Sequence, residues 1–73
     1  MTDWDEVVTP AWVEESPSGP SRVGIEGTDG ASRIFFVDEK QGWILNPLRN
    51  SIGSPTFVRC VHRGEHIWIV NTR

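Results

Sequence analysis

All-β is the class this sequence predicts, and three features of its 73 residues carry that expectation. Apolar residues recur in short runs and at a period of two from Arg22 to Leu45 and again from Phe57 to Val70, the spacing of strands rather than helices. Clusters of Gly, Pro, Ser, Asn and Asp interrupt those runs at short intervals. Near the C-terminus, Gly64 and Glu65 separate two apolar runs, the signature of a tight two-residue hairpin. Together they predict a small five-stranded antiparallel SH3-like barrel or sandwich in meander order, preceded by a stretch able to form a short helix.

That stretch is residues 2–9, where Thr2 can cap a turn that places Trp4, Val7 and Val8 on one face and Pro10 ends it. An extended edge segment is the alternative, because so short a helix needs docking to persist. Residues 1–20 are therefore read as an acidic segment plus a Pro/Ser linker, and residues 21–73 as the antiparallel β domain.

The first hairpin joins "RVGIEG" to "SRIFFVD". A four-residue loop, Thr28 to Ala31, pairs Val23 with Phe36, Ile25 with Ile34 and Glu26 with Arg33. A three-residue loop would set Ile25 against Arg33, so the first register is preferred. The next turn, "DEKQG", leads into "WIL" with Val37 opposite Trp43, giving a central strand apolar on both faces. The piece "FFVDEKQGWI" resembles the strand-turn-strand element of cadherin repeats over about ten residues, with Gln41 where that family has Thr. Their acidic calcium-binding motifs are absent, so the resemblance implies a hairpin here and nothing further. Leu48 and Ile52 are expected to anchor the irregular stretch 46–55 inward. In the last hairpin Val61 faces Trp68, Arg59 faces Val70 and Cys60 faces Ile69, so thiol and guanidinium groups lie on opposite sides.

Composition restricts function more than it assigns it. A chain this short buries only about 60% of its unfolded surface, and the four Trp and three Phe must supply much of the core. One cysteine allows no internal disulfide, no run is long enough to span a membrane as a helix, and the N-terminus is acidic; a cytoplasmic protein is expected. Net charge is −3, divided into −7 for residues 1–39 and +4 for residues 40–73. Such a division marks either a basic contact face or two halves that attract each other on folding.

Cys60, His62 and His66 tempt one toward zinc, but strand alternation sends His66 to the other side and no further ligand pair completes a tetrahedron, so no metal is expected. No catalytic residue and no cofactor emerge either: no nucleophile has an orienting partner in sequence, and "GIEGTDG" opens a strand instead of a helix N-terminus. What remains is an aromatic and basic sheet face, with Phe57, Arg59, Arg63 and Trp68, joined by Trp43, as the expected partner-binding residues. Trp and Arg are preferred anchors of protein interfaces. The expectation is a small non-enzymatic interaction module that binds a protein partner or itself and so forms an oligomer. The alternative is a single-stranded nucleic-acid binder that uses the same face, stacking bases on aromatics and holding phosphates with Arg59, Arg63 and Lys40.

Overall fold

The computed structural model describes residues 3–27 and 32–72. Five strands, β1 (Asp3–Glu14), β2 (Ser21–Glu26), β3 (Ser32–Val37), β4 (Thr56–Arg63) and β5 (His66–Thr72), close into a barrel in the order β1-β2-β3-β5-β4. The small all-β barrel expected from the sequence is thus present. Its strand order is not a meander, however: β3 and β5 are parallel neighbours, paired through Phe35 with Ile67 and Phe36 with Trp68. The expected Thr2 cap and the loop 28–31 lie outside the described residues.

The N-terminal stretch is not a helix but the longest strand. Its first half pairs with β4, from Asp3 opposite Val61 to Val8 opposite Thr56, and its second half with β2, from Thr9 opposite Glu26 to Glu14 opposite Arg22. A helix here would have buried only Trp4, Val7 and Val8, whereas the strand satisfies a ladder on each side. It is an integral wall of the barrel. Between Pro10 and Trp12 the register shifts by a one-residue bulge at Ala11. Pro10 has no N–H to offer a ladder, and its carbonyl accepts a hydrogen bond from Gly53 N at 2.9 Å. An extra residue inverts the alternation of side chains. Val8 and Pro10 point inward before the bulge; beyond it Val13 faces inward and Trp12 outward.

The β2–β3 register differs by one residue from the expected one: Val23 faces Phe35, Gly24 faces Ile34, and Ile25 faces Arg33. Val23, Ile25, Phe35 and Val37 are all buried. This inward arginine, which made the register look unfavourable, meets Glu6 from the inner face of β1 in an ion pair. Its guanidinium also stacks on Phe35, 4.9 Å from the ring centroid.

The expected strand at "WIL" is helical, which also removes the hairpin implied by the cadherin-like piece. The Asp38 carboxylate accepts from Lys40 N at 2.9 Å and caps a 3-10 segment, Glu39–Ile44, that runs into α1 (Leu45–Arg49). Pro47 sits in the first turn of α1, where a missing N–H costs nothing. Ile44, Leu45 and Leu48 close the end of the core formed by Val8, Val23, Ile25, Phe35, Val37, Val58, Cys60 and Ile69. Ile52, expected inward, is 47% exposed. A chain that reads i, i+1, i+4 in apolar residues after an Asp cap buries more as a helix than as the third strand of a meander.

The C-terminal hairpin is as expected through its tight end: Arg63 faces His66, Val61 faces Trp68 and Cys60 faces Ile69. Gly64 has φ of 63°, and no other residue of that turn has positive φ, the requirement of a type II′ bend. Past Cys60 a bulge at Val70 shifts the ladder, so Arg59 faces Asn71 rather than Val70.

Because Leu48 is fully buried at the helical end of the barrel, Leu48→Ala is expected to lower unfolding free energy by about 2–5 kcal/mol. Urea denaturation checks it; an unchanged midpoint would mean that α1 does not seal the core.

Candidate functional site

The end of the barrel opposite α1 is closed by polar chemistry. Glu6 and Arg33 pair across it, and Trp4 Nε1 donates to Glu6 Oε1 at 3.0 Å. The Trp4 ring lies 5.3 Å from that of His62. Burial pushes the Glu6 carboxyl up, but the Trp4 hydrogen bond and the Arg33 guanidinium together outweigh it and hold the group below its ordinary 4.5. Cys60 is buried beneath this mouth, and its thiol is pushed up to about 12, first by burial and then by the negative charge of Glu6. A thiol so protonated is a poor nucleophile at neutral pH. His66 sits elsewhere, its ring 4.5 Å from Phe36 on the outer wall. Among the described residues no three His, Cys, Asp or Glu groups converge on a common point.

Four of the sequence-predicted partner residues share one wall: Phe57, Arg59 and Arg63 alternate along the outer face of β4, and Trp68 lies opposite Val61 of that face. Phe57 is 46% exposed and lies beside Val7 on the outer wall of β1 and β4. Next to it, Arg59 is held by Asp5, with Nε to Oδ1 at 3.0 Å and Nη2 to Oδ2 at 3.4 Å, a grip that raises its pKa further. Trp68 lies opposite Val61, four residues from Phe57 and two from Arg59 along β4, roughly 13 Å and 7 Å along the strand direction. It is half-buried, with Phe36 5.5 Å away and the Arg63 guanidinium 5.8 Å from its ring centroid. Arg63 also approaches Asp38 at 4.0 Å. Trp43 is 55% exposed on the 3-10 segment, its Nε1 donating to Gln41 Oε1 at 3.2 Å. Phe57, Arg59, Arg63 and Trp68 thus keep the outer face of β4 and β5, from which the bulge displaces Val70, whereas Trp43 lies on the 3-10 segment instead of a strand.

Every arginine among the described residues is engaged by a carboxylate: Arg22 with Glu14, Arg33 with Glu6, Arg49 with Glu15, Arg59 with Asp5 and Arg63 with Asp38. Three of these pairs join an acid of residues 1–39 to a base of residues 40–73. The charge division is thus largely spent within the fold, and the basic face it suggested is mostly neutralised.

A second surface also leaves large apolar side chains in water. On the outer wall of β1, β2 and β3, Trp12, Gly24 and Ile34 form one row across the three strands. The indole of Trp12 lies directly on Gly24, so closely that a Cβ added there would overlap its Nε1. Only glycine lets the ring lie down across β2. Even so, Trp12 remains 41% and Ile34 50% exposed. Flanking rows are Glu14–Arg22–Phe36 on one side and Thr9–Glu26–Ser32 on the other. Sequence reasoning missed this row because it requires both the bulge at Ala11 and the true β2–β3 register. The signal present was the alternation Arg22, Gly24, Glu26, which places a charge on each side of a bare position on one face.

The chain matches no family model, no curated protein and no solved structure. Among the described residues no helix is long and apolar enough to cross a membrane.

Two titrations report on the barrel mouth. With its folded pKa depressed, Glu6 contributes stability that is present above pH 4.5 and lost as pH falls through the folded value. In an NMR titration the Glu6 carboxyl of Arg33→Met is expected to titrate higher than in the wild type; an unchanged value would remove the pair from the account. Cys60 behaves oppositely, since a raised thiol pKa gives stability present below the unfolded value of about 9 and lost as pH rises beyond it. The folded protein is expected to resist thiol-specific alkylation at pH 8 and to react at once in denaturant; fast native labelling would contradict burial of the thiol.

Proposed function

We propose that this protein is a non-enzymatic interaction module that binds a protein surface through the outer wall of β1, β2 and β3. The observation that supports this most is the row Trp12–Gly24–Ile34, where two large apolar side chains stay about half in water beside a glycine that one of them already covers. Large exposed apolar residues grouped on one sheet face mark association surfaces more often than isolated ones do. Locking the arginines into internal pairs supports the same reading, because it lowers long-range attraction for polyanions while leaving apolar contact unaffected. A protein of this kind acts in the cytoplasm and carries no cofactor.

A second reading, a single-stranded nucleic-acid binder, has one observation in its favour. On the β3–β5 wall the Phe36 ring lies 4.5 Å from that of His66 and 5.5 Å from that of Trp68, with the Arg63 guanidinium beside Trp68. Unpaired bases stack on such rings, and five-stranded Greek-key barrels include oligonucleotide binders. The net charge of −3 and the paired guanidinium groups weigh against it, and a fold shared with such binders assigns no activity.

Site-specific photo-crosslinking in cells separates the two. With Ile34→benzoylphenylalanine, a covalent protein adduct is expected, and with Glu65→benzoylphenylalanine, on the hairpin turn, none. Absence of any adduct from position 34, together with oligonucleotide binding that weakens steeply as salt rises, would overturn the protein reading in favour of the second.

A further inference from the structure

From the charge pattern around the Trp12 row we infer that the partner on this face is a second copy of the chain, docked about a two-fold axis that runs along the row Trp12–Gly24–Ile34. This rests on the proposed apolar contact surface and names its occupant.

The outer face of β2 reads Arg22, Gly24, Glu26: a positive group, a bare backbone and a negative group, spaced two residues apart. Such a pattern is its own complement when reversed. Two symmetric ways of laying this face on itself put β2 over β2. An axis along β2 keeps each position over itself, so Arg22 would meet Arg22 and Glu26 would meet Glu26. An axis across the strands reverses β2 and sets Arg22 over Glu26 of the other copy, twice. Like charges brought face to face are strongly unfavourable and opposite ones select partner and register, so the second arrangement is the one the sequence specifies.

The same axis treats the rest of the face consistently. Residues of the central row lie on it, so Trp12 meets Trp12 and Ile34 meets Ile34, and the exposed apolar area is covered by its own copy. An isologous contact of this form closes at two subunits. The half-buried Phe36 meets the small Ser32, and Glu14 meets Thr9. No like charges oppose each other in these three rows. Glu26 is exposed and, among the described residues, takes part in no ion pair, so it is available. Arg22 already holds Glu14 at its Nε and Nη2 atoms, and a guanidinium has five donors, enough to bridge Glu14 and the second copy's Glu26. Sheets stacked face to face sit about 10 Å apart, within reach of an arginine and a glutamate extended toward each other.

Sedimentation equilibrium on the full chain, from low micromolar to millimolar concentration, tests it with two single variants and their mixture. Wild type is expected to dimerise. Arg22→Glu alone and Glu26→Arg alone are each expected to weaken dimerisation roughly 10- to 100-fold, since each places like charges in opposition twice. An equimolar mixture of the two variants is expected to restore a dimer that contains one copy of each, identified by native mass spectrometry, because every introduced charge then meets its opposite. Glu26→Arg changes an exposed side chain that is outside every ion pair among the described residues, and a circular dichroism spectrum matching the wild type is the control that it folds. A wild type that stays monomeric throughout overturns the inference; crosslinks from position 34 to a different protein would then leave the broader interaction reading standing. A wild-type dimer indifferent to both variants, or a mixture that fails to form the mixed dimer, overturns it equally.

Discussion

A single extra residue in β1 governs both the interior and the outer surface of this barrel. Twelve residues of strand must serve two neighbours, β4 from Asp3 to Val8 and β2 from Thr9 to Glu14, and the bulge at Ala11 follows two residues after that change of partner. Proline immediately before it removes one ladder donor, and the Pro10 carbonyl is satisfied from the loop after α1 by Gly53, whose φ of 84° suits glycine. Inverting the alternation at that point turns Val13 into the core and Trp12 out of it. Without the inversion an indole would be driven into a small interior already filled by Val23, Ile25 and Phe35, and Val13 would be in solvent.

The interior shows a division of labour between its two ends. One is sealed by apolar helix residues, Ile44, Leu45 and Leu48; the other by the pair of Glu6 and Arg33 with Trp4 above it. Placing charge at inward strand positions is tolerated because the mouth leaves both groups partly hydrated while the opposite charge and the indole N–H offset what burial removes. The parallel pairing of β3 with β5 extends over only two residue pairs. That makes it the shortest seam of the closed sheet, flanked by the Phe36, His66 and Trp68 rings.

Much of this was legible in the residues, and what was not has identifiable physical causes. Alternation and turn chemistry specified β2, β3, β4 and β5, and a glycine followed by glutamate between apolar runs specified the last bend together with the pairs Val61–Trp68 and Cys60–Ile69. The β2–β3 register failed because a local rule, that a strand does not bury an arginine opposite isoleucine, competed with a distant fact, that Glu6 was waiting on β1. Residues 39–49 failed because "WIL" is apolar under either periodicity, and the Asp38 cap that decides for the helix also suits a turn. Both bulges escaped notice since one inserted residue leaves composition untouched while moving every later side chain to the other face. Of the expected partner residues, Phe57, Arg59, Arg63 and Trp68 keep the common face that alternation gave them, Trp43 left it with the helical course of residues 39–49, and the exposed row of Trp12 and Ile34 was not foreseen because it depends on the bulge at Ala11.

Whether the indole of Trp12 lies on the outer wall over Gly24 decides the account most directly, and NMR can read it from the Gly24 α-protons. A ring seated there is expected to shift those protons well upfield of unstructured values, with cross-peaks between them and the Trp12 indole N–H, and both effects vanish in Trp12→Ser. Gly24 α-protons at ordinary shifts, with Trp12 cross-peaks running instead to Val23 or Phe35 of the core, would contradict the bulge, the outward row and the contact surface built on it.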